Sequence, residues 1–425
     1  MRQDLIGHSE EGRPIWVLQM GVQAAALRIL IVSGQHGDED RGWMAVQRFA
    51  ADDPVQADQS VPVAIALVPN INPDGAARRT RTNARGVDLN RDHLRLTSAE
   101  TRALHRFVRA WRPHLVVDVH QFPPRRRHLL ARQLIFCHDV FLDVPTHPAA
   151  QHPALGDAGT RLLQPILSAL NAAGYRSARY TRVTESGRVR HSTVDVVDAR
   201  NGLALRYQLP TVLVEGRGWS RGDGPAVKAH VLAGMQEALR LIVQWAQANY
   251  ARLTEAPPGP ASVPIRTRYR PAPSPRTLEF ADPHSSLIRP VELPGRFTPH
   301  VETKARVHLP RAYAVPRTLP TLVELLRRHA FALVPSPPDR VERIERYRVN
   351  ELKPPRPNRS PRKIELQMST EHQPLHDYLL LSTAAGAGPA LAVLLEPASN
   401  YGLARFAEMG IPLTPQSAYP ILRVL

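Results

Sequence analysis

Three short apolar runs open the chain: WVLQM (16–20), LRILIVSG (27–34) and VPVAIALVPN (61–70), each bounded by Gly, Pro or Asn. Their apolarity is near-continuous rather than alternating, which predicts strands buried on both faces. Between the second and third, RGWMAVQRFAAD (41–52) predicts a helix. Another helix is expected from Thr97, because TSAE puts Glu100 at the third helical position of a capping box, and it runs to about Trp111, ahead of Pro113. HLVVDVH (114–120) and ARQLIFC (131–137) read as strands, and residues 155–174 as a helix interrupted by Pro165. TVLVEGRG (211–218) reads as a strand and residues 226–250 as a long closing helix. Strand and helix signals in alternation predict an α/β domain over residues 1–252, with a mixed, largely parallel central sheet flanked by helices.

The pattern then changes. Residues 256–275, APPGPASVPIRTRYRPAPSP, carry too much proline for a helix or a central strand, so 253–285 reads as an extended linker. KARVHLP (304–310), RAYAVP (311–316), RKIELQM (362–368) and DYLLLST (377–383) are short strand-like runs accompanied by one good helix, LPTLVELLRRHA (319–330). They predict a smaller, mostly-β C-terminal domain over 286–425.

Composition adds limits. The 425 residues fit two domains, and 43% hydrophobic content is enough for sizeable cores. The net charge of +17 rests on arginine, with only four lysines. Attraction to anionic partners is one reading of that charge; codon bias, which also fits the 41 prolines, is the other. No helix interleaves a basic face with aromatics, so nucleic acid is not expected as a partner. The lone Cys137 excludes an intramolecular disulfide and reads as a small buried hydrophobe. No run is long enough for a membrane span.

Chemistry enters at the strand ends. In SGQHGDE (33–39), His36 and Glu39 are three residues apart, so one turn of backbone can aim an imidazole and a carboxylate at one metal ion. A catalytic zinc takes three protein ligands and keeps one position open, so a further ligand is required. His120 supplies it at the end of its strand. His36, Asn72, His120 and Glu215 all stand at or just past the carboxyl ends of apolar runs, the edge along which open α/β sheets bind ligands.

In chain order, HxxE at His36 and Glu39, the NPDG turn (72–75), Arg81, GVDLNRD (86–92), the DxH ending in His120, and a strand ending in Glu215 resemble the zinc carboxypeptidases of the carboxypeptidase A type, the M14 metallopeptidases. The resemblance spans roughly residues 5–250, and the later strand runs resemble C-terminal extensions found on some bacterial members. It implies one zinc held by His36, Glu39 and His120, with Asp88 orienting a zinc histidine. It also implies Glu215 as general base and Arg81 facing the developing oxyanion. Asn90 and Arg91 would grip the terminal carboxylate of a peptide substrate. Neighbouring residues on a strand point opposite ways, so that pair needs an irregular backbone.

Two departures stand out. The family tyrosine has no counterpart in a matching motif; counting back from Glu215 lands near Ser192, with Tyr180 and Tyr207 the nearest tyrosines. The same counting puts Arg200 near the position that reads the terminal side chain, which implies a preference for an acidic terminal residue. IGHSEEGRPIWVL (6–18) resembles a segment well inside the family domain, so the expected compartment is cytoplasmic for the chain as written and periplasmic or secreted if the start lies upstream. Besides a metallocarboxypeptidase, an N-acyl-amino-acid deacylase of the aspartoacylase or succinylglutamate desuccinylase kind, and a non-catalytic binding module, fit the motifs.

Overall fold

The structure, a computed structural model, describes residues 1–425 apart from 23, 53–60, 186–188, 192, 220–222, 258, 294–296, 338–339, 354–363 and 385. Two compact units emerge. The first comprises residues 1–204, 209–257 and 269–300; the second comprises 205–208, 258–268 and 301–425.

The first unit is built on an eight-stranded mixed sheet. Its strands are β1 (Arg2–His8), β2 (Pro14–Gly21), β3 (Leu27–Ser33), β4 (Val63–Val68), β5 (Leu115–Phe122), β6 (Val140–Asp143), β7 (Ser177–Arg179) and β8 (Thr211–Arg217). In space the order is β1-β2-β4-β3-β5-β8-β6-β7. The inner strands β4, β3, β5 and β8 are mutually parallel, β1 and β2 run antiparallel to their neighbours, and β6 is antiparallel to β8 but parallel to the edge strand β7. Strands β3, β4 and β5 are buried along nearly their whole length, as their unbroken apolar runs require.

The longer helices are α1 (Asp40–Ala51), α2 (Pro73–Arg78), α3 (Ala99–Trp111), α4 (Thr160–Ala172), α5 (Ala199–Tyr207) and α6 (Pro225–Ala248). Side chains of α1, α4 and α6 join those of the inner strands in one large core. Pro165 does not interrupt α4, which runs through it. Proline at 165 cannot donate to the carbonyl of Arg161 four residues back; the indole Nε1 of Trp245 on α6 donates there instead, at 3.0 Å. The expected capping box at α3 is also absent. Glu100 turns away to accept from the Glu10 amide and from Asn83, while Asp92 accepts from the amides of Thr97 and Ser98. The strand expected over 131–137 shrinks to Ile135–Phe136.

Residues 269–300 belong to the first unit, a departure from the expected linker and C-terminal domain boundaries. Strands Thr277–Ala281 and Ile288–Glu292 form a three-stranded sheet with Ile135–Phe136. The cause is aromatic: Phe280 packs on Phe136, which meets Phe122 and Phe141, so one buried cluster ties this segment to the ends of β5 and β6. The Pro-rich stretch itself holds strand Ser262–Arg270, paired with His300–His308.

The second unit is mostly β, with a six-stranded sheet built around Ala312–Pro316 and a helix at Pro320–Arg328, as the apolar runs predict. Helix Gly388–Leu395 is buried on every side. Next to it, Glu396 accepts from the Tyr313 hydroxyl at 2.7 Å and pairs with Arg423. Among the described residues no helix is long and apolar enough to cross a membrane.

A repeated His-Pro-Ala in THPAAQHPAL (146–155) gives a stability prediction. His147 and His152 cap consecutive 3-10 turns, each Nδ1 accepting an amide two residues ahead at 3.1 and 3.2 Å. Burial pushes both imidazoles down to about 4 from an ordinary 6.5, and protonation would abolish each cap. The unfolded chain takes up these protons first, so this stability is complete above pH 6.5 and is lost as the pH falls toward 4. The expected result is a denaturant midpoint that declines between pH 6.5 and 4.5. His147→Asn, which can still accept the amide, should flatten that decline; an unchanged slope would refute the assignment.

Candidate metal centre

The loops that follow β3, β4, β5 and β8 leave one edge of the parallel core, and the candidate residues gather there. After β3 the chain turns through residues 34–39 into α1, with Glu39 at the helix N-cap. The NPDG turn braces this loop. Asn72 donates its side-chain amide to the Gln35 carbonyl at 3.1 Å and its backbone amide to the Gly34 carbonyl at 3.1 Å. The two loops touch so closely that a Cβ on Gly37 would lie 2.0 Å from the Gly75 carbonyl carbon, so both glycines are steric requirements of the motif.

The Nδ1 atoms of His36 and His120 lie 2.7 and 2.9 Å from the two carboxylate oxygens of Glu39. Ligand atoms of the three side chains all fall within 4.8 Å of one another, and all three residues are buried. The outer nitrogens face carboxylates: His36 Nε2 is 3.1 Å from Asp88, and His120 Nε2 is 3.1 Å from Asp118. Those carboxylates place a proton on each Nε2 and leave the Nδ1 lone pairs for a metal. Although burial opposes it, His120 and His36 hold the Glu39 carboxyl well below the ordinary range. Against the same burial cost, Asp118, Glu39 and Asp88 push both imidazoles up. Three carboxylates around two imidazoles thus call for positive charge. The set fits a divalent ion with mixed N and O ligands, zinc foremost.

Glu215 stands beside His120 because β8 pairs with β5 in parallel register, Glu215 opposite His120. It is half-buried, and burial pushes its carboxyl up to about 7 against the pull of His120. Arg81 donates its Nε to Asp88 at 3.1 Å, and its Nη1 lies 3.7 Å from Glu39. Asn90 and Arg91 sit in a 3-10 turn, Leu89–Arg91, rather than on a strand, and both line the cavity. This is the irregular backbone that the adjacent pair requires. Asn90 accepts from the Ala199 amide, and its Nδ2 lies 3.2 Å from His120 Nε2.

The cavity over these residues has a volume of about 310 Å³. Arg200 lines it, but its guanidinium is buried and already engaged, by Asp143 at 3.0 Å, Asp198 at 3.6 Å and the Thr193 carbonyl. The acidic preference expected from Arg200 would thus draw on a guanidinium that Asp143 and Asp198 already pair. Ser192 lies outside the described residues. Tyr180 is buried in the cavity wall, its hydroxyl pushed up to about 12 by burial and the nearby Glu215 carboxylate, whereas Tyr207 is not among the lining residues. Cys137 is half-buried with its thiol pushed up to about 11 by burial, which makes it a poor nucleophile.

Sequence reasoning overlooked Gln35, Asp118, Arg126 and Arg182. Asp118 was legible, since residues two apart on a strand share a face and DxH is such a pair. Gln35, whose Nε2 donates to Asp118 at 2.6 Å and whose Oε1 lies 2.8 Å from His93 Nε2, carried no motif signal.

Residues 1–106 match the family model described as zinc carboxypeptidase, Peptidase_M14. Carboxypeptidase 2 of Trichophyton rubrum is 27% identical over 264 residues, covering 57% of this chain and 47% of the relative. Carboxypeptidase SOL1 of Arabidopsis thaliana is 32% identical over 125 residues, covering 24% of this chain and 26% of that protein. The chain thus spans about half the length, or less, of these curated relatives. Among solved structures, a metallo-carboxypeptidase from Pseudomonas aeruginosa, in complex with (2-guanidinoethylmercapto)succinic acid, is 22% identical with a TM-score of 0.45, covering 59% of this chain and 65% of that one. The family model thus matches the stretch that holds His36, Glu39, Asp88 and Arg91, and over that stretch the chain is similar to the zinc carboxypeptidases, as it is to these curated relatives.

Proposed function

We propose that the protein is a zinc-dependent metallocarboxypeptidase that hydrolyses the C-terminal peptide bond of peptides. The observation that carries the reading is the convergence of His36, Glu39 and His120, with Glu215 beside His120, in the floor of one small cavity. Zinc, when bound there, supplies Lewis acidity and lowers the pKa of water.

The chain's own residues account for the rest. Glu215, a carboxyl balanced near neutrality by burial, takes a proton from the attacking water and returns it to the leaving amine. Arg81 faces the carbonyl oxygen as negative charge develops on it. The Arg91 guanidinium, joined by the Asn90 amide, grips the substrate's terminal carboxylate, which sets the cleavage point one residue from the end. Asp88 and Asp118 hold the two imidazoles in the ligating tautomer.

The test is zinc content together with amino-acid release from peptides with free and amidated C-termini, plus one N-acyl amino acid. About one zinc per chain and release only from free termini is the expected result. Turnover of the acyl amino acid alone would replace this reading with the deacylase, and zinc binding without any turnover would leave a binding module.

A further inference from the structure

We propose that Arg126 and Arg182 select substrates whose C-terminal residue carries a side-chain carboxylate, glutamate or aspartate. The inference rests on the carboxypeptidase reading and names its substrate class.

Five arginines line the cavity: Arg81, Arg91, Arg126, Arg182 and Arg200. Arg81 is shared between Asp88 and Glu39, and Arg200 is held by Asp143 and Asp198. Arg91 is matched by the α-carboxylate of the substrate. That leaves Arg126, on the segment just past β5, and Arg182, just past β7. Both are half-buried, and neither has a carboxylate within ion-pair reach among the described residues. Both line the same cavity as Tyr180 and Glu215. The positive fields of both reach the Tyr180 hydroxyl, and that of Arg126 also reaches Glu215.

Half-buried guanidinium groups without counter-ions are costly, and an arriving carboxylate offsets that cost with charge-assisted hydrogen bonds. At about 310 Å³ the cavity is at the small end for ligand sites. It has room for a terminal residue and its scissile bond, so the second anionic group belongs to that residue. Arg200, tied into its own acids, acts as a fixed wall, and the acidic preference expected of it passes to this pair.

The experiment compares kcat/KM for matched peptides ending in Glu, Gln and Lys. It uses the zinc-loaded wild type, Arg126→Gln, Arg182→Gln and the double variant. Calorimetric titration with N-acetylglutamate and N-acetylglutamine runs alongside and needs no turnover. The wild type should favour Glu over Gln about 10–100-fold, the range of a hydrogen-bonded charge. The ratio should fall toward unity in the double variant, while Arg126→Lys with Arg182→Lys keeps part of it and controls for folding. Equal wild-type turnover of the Glu and Gln peptides, or a ratio that survives the double substitution, overturns the proposal. If no peptide is cleaved, the carboxypeptidase reading fails and calorimetry decides. Tighter binding of N-acetylglutamate that is lost in the double variant supports the arginine pair, and equal binding of the two ligands rejects it.

Discussion

Glu215→Gln is expected to lower peptide hydrolysis by about 10²–10⁴-fold, the span associated with a general acid–base group, while leaving zinc content near wild type. Glutamine keeps the size and the hydrogen-bonding reach of glutamate but cannot accept a proton from water. The ligand set does not include residue 215, and β8 pairs with β5 through its backbone, so the substitution removes only the proton acceptor. Stability should hold or rise slightly, because burial pushes this carboxyl up to about 7 and a neutral amide avoids the charging cost. Measuring kcat, zinc by elemental analysis and thermal midpoint on the same preparation separates the roles. Loss of zinc would make Glu215 a ligand or a scaffold residue, and activity within tenfold of wild type would remove it from the mechanism.

His120→Gln should be larger in a different way: zinc is lost, and hydrolysis with it. Two remaining ligands fall short of the three that a catalytic zinc requires. The contrast with Asp118→Asn makes this specific. Asp118 only supports His120, at 3.1 Å from its Nε2, so its loss should weaken zinc affinity by about 10–100-fold without abolishing binding. Both variants disturb a buried, charged neighbourhood, since Asp118 also accepts from Gln35. Glutamine at 120 can still donate to that carboxylate, which limits the penalty of leaving a buried charge alone. Equal zinc affinity in His120→Gln and wild type would remove His120 from the ligand set.

The elements legible from sequence were those whose signal is local. Unbroken apolar runs announced β3, β4, β5 and β8, and the residues at their ends announced the candidate metal centre. Where the reading slipped, a distant partner had changed the local preference. Trp245 satisfied the carbonyl freed by Pro165 and let α4 continue, and Asn83 and the Glu10 amide drew Glu100 out of its capping box. Phe136, packed on Phe280, recruited a segment read as linker into the first unit.

The sequence by itself determined which residues could ligate a metal and in what order, because ligand chemistry depends on residue type and short spacing. Only the tertiary structure decided which charges remain available in the cavity. Ion pairing can join residues far apart in the chain: Asp143 lies 57 residues before Arg200 and occupies its guanidinium. The same convergence sets Glu215 beside His120, a register that neither strand specifies alone.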